Sequence, residues 1–179
     1  NENGILTFAD FAISEQTLKT IKKVVFIACG TAFHAGLIGK YAIERWTRIP
    51  CEAEIASEFR YRDPILDSET LVIAISQSGE TMDTLMAVKH AKEQGASVLA
   101  ITNTQGSTIG RESDAVLYTR AGPEIAVAST KAFLTQVVVV ELIALYLAQV
   151  KGIRQTSEIK KVLEDISDMS HQIDVVLDT

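Results

Sequence analysis

The sequence predicts an α/β fold, a three-layer sandwich in which a five-stranded parallel sheet lies between two layers of helices. The first observation is an alternation, because five short apolar runs are separated by segments with helical spacing along the 179-residue chain. The second is that the central run, residues 71–75, is apolar at every position, as in strands buried on both faces of a parallel sheet. Right-handed β-α-β crossovers would place the connecting helices on both faces of one sheet.

The strands are predicted at residues 23–29, 52–55, 71–75, 96–102 and 115–118. The helices are predicted from Phe33 to about Arg48, from Thr81 to a stop at Gly95, in a short segment that ends at Glu112, and at residues 132–150 and 157–177. Residues 57–62 are interpreted as a connection that leads to a break at Pro64. We therefore expect a lead-in segment at residues 1–22, the domain itself at residues 23–152 and a C-terminal helix within residues 153–179.

The lead-in segment carries spaced apolar residues that we expect to pack along the edge of the domain: Ile5, Phe8, Phe11, Ile13 and Leu18. The chain begins with Asn, and no charged-then-apolar leader precedes the first strand. This pattern indicates a piece of a longer protein that is not secreted.

Composition excludes several classes of function. The net charge is −6 without a basic block, so nothing favours binding to nucleic acid or to an anionic membrane. Cys29 and Cys51 lack metal-ligand spacing, which indicates reduced thiols of a cytoplasmic protein without a metal or other cofactor.

The apolar helix at 132–150 is long enough to span a bilayer, but polar residues interrupt it: Thr135, Gln136, Glu141 and Gln149. A helix buried against the sheet and against a second domain or subunit is the better interpretation.

The stretch after the central strand changes abruptly from apolar to polar. Ser76, Gln77, Ser78 and Gly79 form a turn, and the next helix starts near Thr81. Such a loop directs hydroxyl groups, backbone N–H groups and the positive end of a helix dipole at one point, which suits an anion. The loop contains no Lys or Arg, so it fits a phosphate monoester better than a nucleoside triphosphate with Mg²⁺. Alternatively, Ser78 only caps the helix, and the loop alone does not decide between the two interpretations.

A second loop of the same kind follows the first strand, where Gly30, Thr31 and Ala32 lead into a helix. In a doubly wound sheet of flavodoxin-like order 2-1-3-4-5, the first and third strands are neighbours whose helices leave on opposite faces. The two loops would then face each other across a crevice at the carboxyl ends of the strands. This convergence favours a bound phosphate over simple capping.

Four motifs in this order carry a family resemblance: ACGTAFHAG, EIASEFRYRDP, ISQSGETMDTL and RESDAVLYTRAGPEIAVASTKAF. Together they resemble the first sugar-isomerase (SIS) subdomain of the isomerising glutamine:fructose-6-phosphate aminotransferases, the glucosamine-6-phosphate synthases, over residues 23–152. SQSGET alone would indicate only an SIS domain, whereas EIASEFRYR and GPEIAVASTKAF are typical of the aminotransferases.

The resemblance implies roles for individual residues. Four residues of the loop after the central strand would hold the phosphate of fructose 6-phosphate or of the product, glucosamine 6-phosphate: Ser76, Gln77, Ser78 and Thr81. Thr31 with its neighbour Ala32 would contact the sugar phosphate, and Val127 and Ser129 would line the sugar. The family commonly has Ser where this chain has Ala32, which removes one hydroxyl contact worth about 0.5–1.5 kcal/mol.

The resemblance also implies partners outside this chain. Enzymes of this family add a glutaminase domain with a cysteine nucleophile, and a second SIS subdomain that supplies the base and the reactive lysine. No catalytic residue is therefore assigned here, and structural roles are expected for the remaining candidates: His34, His90, His171 and Lys131. We expect a fragment without turnover that forms a homodimer through helix 132–150. The alternative is a sugar-phosphate-sensing regulatory SIS module, which a basic helix-turn-helix flank would have favoured.

Overall fold

The computed structural model describes residues 5–9, 11–126 and 128–178, which form one parallel sheet with helices on both faces. The strands are β1 (Lys23–Ala28), β2 (Cys51–Ile55), β3 (Thr70–Ser76), β4 (Ser97–Thr102) and β5 (Ala115–Tyr118). The helices are α1 (Glu15–Thr20), α2 (Thr31–Thr47), α3 (Ala56–Arg62), α4 (Met82–Glu93), α5 (Thr108–Glu112), α6 (Lys131–Val150) and α7 (Thr156–Leu177). The strand order is β2-β1-β3-β4-β5, so the predicted fold class and strand order are confirmed.

The register places the carboxyl ends of β1 and β3 side by side. Ala28 of β1 pairs with Ile75 of β3, and Ser76, the last residue of β3, pairs with Thr102 of β4. All seven residues of β3 are buried, as the continuous apolar run predicts. The loops that follow β1 and β3 therefore emerge at the same edge of the sheet.

Each face of the sheet is covered by its own apolar cluster. Alternate β1 residues divide between the faces, so that Phe26 contributes to the cluster beneath α2 and α6, and Val25 to the cluster beneath α3 and α4. Phe59, which is fully buried, anchors α3 to the second cluster. The prediction of residues 57–62 as a connection was wrong, because burial of this side chain stabilises a helix that ends where Asp63 adopts a left-handed conformation.

The lead-in segment packs against the domain on its α6 side, where an edge position was expected, and contains a short helix that was not predicted. The Ser14 side chain caps α1 by accepting a hydrogen bond from the Thr17 N–H at 3.0 Å. Ile13 and Leu18 are buried, and the rings of Phe8 and Phe11 lie 5.0 and 5.6 Å from that of Tyr146. Ile5 is the most exposed of the five residues, at 43%.

Among the described residues, one helix, α6, is long and apolar enough to cross a membrane by length and composition. A core helix meets the same criteria, and half of the most apolar stretch of α6 is buried inside this domain. Two of its polar residues have partners within the fold: Gln149 accepts a hydrogen bond from the Leu6 N–H at 2.8 Å, and Glu141 accepts one from the Trp46 indole N–H at 2.7 Å. This packing favours the interpretation of α6 as a core helix.

Helix α7 is amphipathic and docks through its first half only. Ile159 is buried, and Val162 and Ile166 pack against the core, whereas Ile173 and Leu177 are 49% and 76% exposed. An apolar stripe is therefore left on the second half of α7.

Candidate functional site

A cavity of about 420 Å³ opens at the edge of the sheet where β1 and β3 end. The β1–α2 loop, the β3–α4 loop, the segment before α6 and α6 itself contribute to its walls. Seven of the predicted site residues line it: Thr31, Ala32, Ser76, Gln77, Ser78, Thr81 and Ser129. The eighth, Val127, lies outside the described residues. The structure thus brings together two loops that are about 45 residues apart in sequence, as the crossover topology predicts.

The β3–α4 loop is held in shape by its own hydroxyl groups. Ser76 Oγ accepts a hydrogen bond from the Gly79 N–H at 3.0 Å and lies 3.1 Å from Thr81 Oγ1. Ser78 Oγ accepts from the Glu80 N–H at 3.2 Å, and its own proton remains available to a ligand. Ser76 is therefore the internal brace of the loop, and Ser78 is its more accessible donor.

The capping interpretation of Ser78 was wrong. Helix α4 begins at Met82, its N-cap residue is Thr81, and no side chain accepts a capping hydrogen bond there. Helix α2 likewise begins after Gly30 without a side-chain cap. Because the first N–H groups of a helix lack the carbonyl partners of its interior, two helix N-termini without a side-chain cap meet at this cavity.

Most of the groups that line the cavity are neutral, and Glu124 is the one charged side chain among the described lining residues. No Lys or Arg is among the described lining residues. Glu80 turns away toward α5, where Oε1 accepts a hydrogen bond from the Thr108 N–H at 2.7 Å. That backbone hydrogen bond holds the pKa of the Glu80 carboxyl below its usual value, so the group is ionised at neutral pH without lining the cavity.

Glu124 organises the segment before α6, and sequence reasoning did not identify it. Its carboxylate accepts hydrogen bonds from the N–H groups of Ala126, Thr130 and Ala132 at 3.2, 3.0 and 3.1 Å. The Ala132 N–H is the largest of the causes that hold the pKa of this carboxyl below its usual value. An acid placed before a helix start is the signal that could have revealed this role.

Ser129 and Gln136 place two unpaired polar atoms at the cavity. Ser129 adopts a left-handed backbone conformation with φ 53°, which non-glycine residues rarely do outside turns and functional sites. Its Oγ and the Oε1 of Gln136 are both buried without a hydrogen-bond partner among the described residues. From the sequence, Gln136 served only as a polar residue that argues against a transmembrane helix. Its place in the cavity wall was not predicted.

The other candidates lie away from this cavity. His34, His90, His171 and Lys131 do not line it, and His90 Nε2 lies 3.2 Å from Asp63 Oδ1 instead. Among the residues that the structure describes, no group of three or more His, Cys, Asp or Glu is placed to hold a metal ion. A neighbouring depression that contains Asn103, Tyr118 and Arg120 shares Gln77 and Glu124 with the cavity.

The two cysteines are expected to react very differently with a thiol reagent. Cys29 is half-buried and lines the cavity, whereas Cys51 is buried, which raises the pKa of its thiol. Because the thiolate is the reactive form, Cys51 should react more than about a hundredfold more slowly than Cys29 with dithionitrobenzoate. Stopped-flow absorbance on the native chain and on Cys29→Ala measures both rates. Equal rates would contradict this account of the two environments.

The Glu124 hydrogen bonds predict a specific pH dependence of stability. A carboxyl whose pKa is lowered by folding stabilises the fold above its unfolded pKa of about 4.3, and this contribution is lost as the pH falls through the folded value. The native chain should therefore be more stable than Glu124→Gln at pH 7, and the difference should narrow below about pH 4.3. Thermal unfolding of both chains between pH 7 and pH 3 tests this. A difference that is independent of pH would mean that the ionised carboxylate is not responsible.

Comparisons with known proteins agree with this geometry. A family model described as SIS domain matches residues 17–146. The chain is 67% identical over 177 residues to glutamine--fructose-6-phosphate aminotransferase (isomerizing) of Streptomyces coelicolor, covering 99% of this chain and 29% of that protein. It is 59% identical over 166 residues to the enzyme of the same name from Mycobacterium tuberculosis, covering 93% and 27%.

The solved structures lead to the same conclusion. The C-terminal domain of glucosamine-fructose-6-phosphate aminotransferase from Francisella tularensis superposes with a TM-score of 0.84 at 38% identity, covering 93% of this chain and 49% of that one. This chain thus spans less than a third of the length of the relatives named above. The chain belongs to the SIS domain family.

Proposed function

We propose that this chain is the sugar-phosphate-binding half of the isomerase region of an enzyme that makes glucosamine 6-phosphate from fructose 6-phosphate and glutamine. The observation that carries the proposal is the convergence of the α2 and α4 N-termini with the Ser76, Ser78 and Thr81 hydroxyls on one cavity. Its volume of about 420 Å³ falls within the usual range for small-molecule sites. The high identity to aminotransferases supports this function over a regulatory sensing module.

We assign the phosphate to the β3–α4 loop and the sugar to the opposite wall. Hydroxyl and backbone N–H donors hold a phosphate monoester without a cationic side chain when a helix dipole adds to them. Thr31 and the backbone at Ala32 extend this donor set, and the sugar would lie against Ser129. We also propose that Val127 lines the sugar, as the family resemblance implies.

We propose further that the chain binds the sugar phosphate without turning it over. The described lining residues include no histidine and no lysine. Glu124 is a poor base, because three backbone N–H groups occupy its carboxylate and hold its pKa low. The base, the reactive lysine and the ammonia would come from a second SIS subdomain and a glutaminase domain of a longer, cytoplasmic protein.

The exposed apolar residues support association with such partners. Leu134 on α6 and Tyr41 on α2 are 61% and 72% exposed, and the second half of α7 adds Leu177. We propose that a second SIS subdomain covers these residues in the longer protein. When the present chain is isolated, with residues 23–152 and their flanking segments, we propose that a second copy of it covers them instead and forms a homodimer. Light scattering tests the dimer, and a monomer at high concentration would contradict it.

Calorimetric titration with fructose 6-phosphate and with fructose tests the proposed function. We expect measurable binding of the phosphorylated sugar and much weaker binding of fructose, since charged oxygens contribute most to the affinity. Equal affinity for the two sugars would rule out the phosphate role of the β3–α4 loop. Isomerisation by this chain alone would show that catalytic residues had been missed.

A further inference from the structure

Gln136 is the most deeply buried polar side chain in the wall of the cavity. It lies in the second turn of α6 with 1% of its surface exposed, and its Oε1 has no hydrogen-bond partner among the described residues. The residues one turn away from it on α6 are apolar: Ala132, Phe133, Val139 and Val140. A buried acceptor without a donor is unfavourable, and native proteins leave few of them unpaired.

A second glutamine on the same helix shows how a structural glutamine is satisfied in this fold. Gln149 accepts a hydrogen bond from the Leu6 N–H at 2.8 Å and donates one to the Leu6 carbonyl at 2.9 Å. Both ends of its amide are therefore used to hold the lead-in segment. Gln136 makes no comparable contact with the described part of the chain, so its fold partners do not explain it.

The chemistry of the unpaired atoms indicates which part of a ligand they would meet. In the orientation that the structure gives the amide, the unpaired Gln136 Oε1 is an acceptor, and Ser129 Oγ, the other unpaired atom at this wall, both accepts and donates. A phosphate dianion has no proton to give to an acceptor, whereas a sugar hydroxyl does. The proposed phosphate donors belong to the β3–α4 loop, whereas Ser129 and Gln136 reach the same cavity from the segment before α6 and from α6 itself.

We propose that Gln136 is a specificity-determining residue that accepts a hydrogen bond from a hydroxyl group of the sugar. The inference rests on the proposed function, because it requires a polyhydroxylated ligand in this cavity. It adds a sugar contact that no sequence motif indicated. Gln136 selects for a hydroxyl group, since a ligand without one would leave Oε1 buried and unpaired.

The test compares Gln136→Met with Gln149→Met, two substitutions of the same kind on one helix. Titrations of the 179-residue chain with fructose 6-phosphate and with inorganic phosphate are combined with thermal unfolding. Gln136→Met should weaken binding of fructose 6-phosphate by about tenfold, leave binding of inorganic phosphate unchanged and keep or raise the melting temperature. Gln149→Met should lower the melting temperature and leave both affinities unchanged.

The possible failures are distinct. Unchanged affinity of Gln136→Met for fructose 6-phosphate would overturn the inference and leave the proposed function intact. An equal loss of affinity for inorganic phosphate would also overturn it, by placing Gln136 at the phosphate. A fall in melting temperature as large as that of Gln149→Met would indicate a structural role. If the unchanged chain does not bind fructose 6-phosphate, the proposed function fails first and the inference fails with it.

Discussion

Replacing Ser78 with alanine is expected to weaken binding of fructose 6-phosphate by about ten- to a hundredfold, because a hydrogen bond to a charged oxygen contributes about 1.5–3 kcal/mol. Ser78 lines the cavity, and its hydroxyl proton is not used by the loop, where Oγ only accepts from the Glu80 N–H. Ser76 is the poorer choice for this test, because it braces the loop through the Gly79 N–H. Calorimetric titration measures the change in affinity.

Ser167→Ala is the matched control for Ser78→Ala. The Ser167 hydroxyl donates to the Leu163 carbonyl within α7 at 2.8 Å and does not line the cavity. We expect this variant to bind fructose 6-phosphate as the native chain does. If Ser78→Ala also bound normally while its melting curve stayed native, the phosphate would have to lie elsewhere.

Gly79→Ala is expected to lower the free energy of unfolding by about 2–5 kcal/mol, the largest stability effect that we predict for a single methyl group. Gly79 has φ 67°, a left-handed conformation that costs other residues about 1–2 kcal/mol. An added Cβ would also overlap the Ser107 side chain and would lie 2.9 Å from Thr102 Oγ1. Overpacking of this kind adds about 1–3 kcal/mol to the loss of stability. Backbone movement that relieves the overlap with Ser107 would displace the loop that carries Ser78. Urea denaturation measures the stability, and binding of fructose 6-phosphate should be lost as well.

The variant Gly95→Ala separates the cost of the left-handed backbone conformation from the cost of steric overlap. Gly95 also has a positive φ, 85°, but an added Cβ would meet nothing within 4 Å. This variant should therefore lose only the conformational part, about 1–2 kcal/mol, and keep its affinity. Equal losses of stability in the two variants would mean that contact with Ser107 contributes nothing to the position of the loop.

The parts of the fold that follow from local pattern and chain connectivity could be predicted. Continuous apolar runs identify buried parallel strands, and right-handed crossovers then bring the loops at Gly30 and at Gln77 to one edge of the sheet. Helix α1 was missed because six residues have little intrinsic helix stability, and it forms because Leu18 is buried in the core. Helix α3 depends in the same way on burial of Phe59.

The wall of the cavity opposite the phosphate loop could be predicted only in part. Ser129 was assigned through resemblance, whereas Glu124 comes from an irregular segment before α6 whose path is set by tertiary contacts. Three backbone hydrogen bonds to one carboxylate cannot be inferred from spacing when the turn between them is irregular. A glutamine in an apolar helix shows its role only when both its burial and its missing partner are known.

A crystal structure of this chain with fructose 6-phosphate tests the central claim most directly. We predict phosphate oxygens within hydrogen-bond distance of the Ser78 and Thr81 hydroxyls and of the N–H groups at the start of α4. We also predict sugar hydroxyls beside Ser129 and Gln136. A ligand bound instead in the neighbouring depression, with its phosphate on Arg120, would contradict the claim.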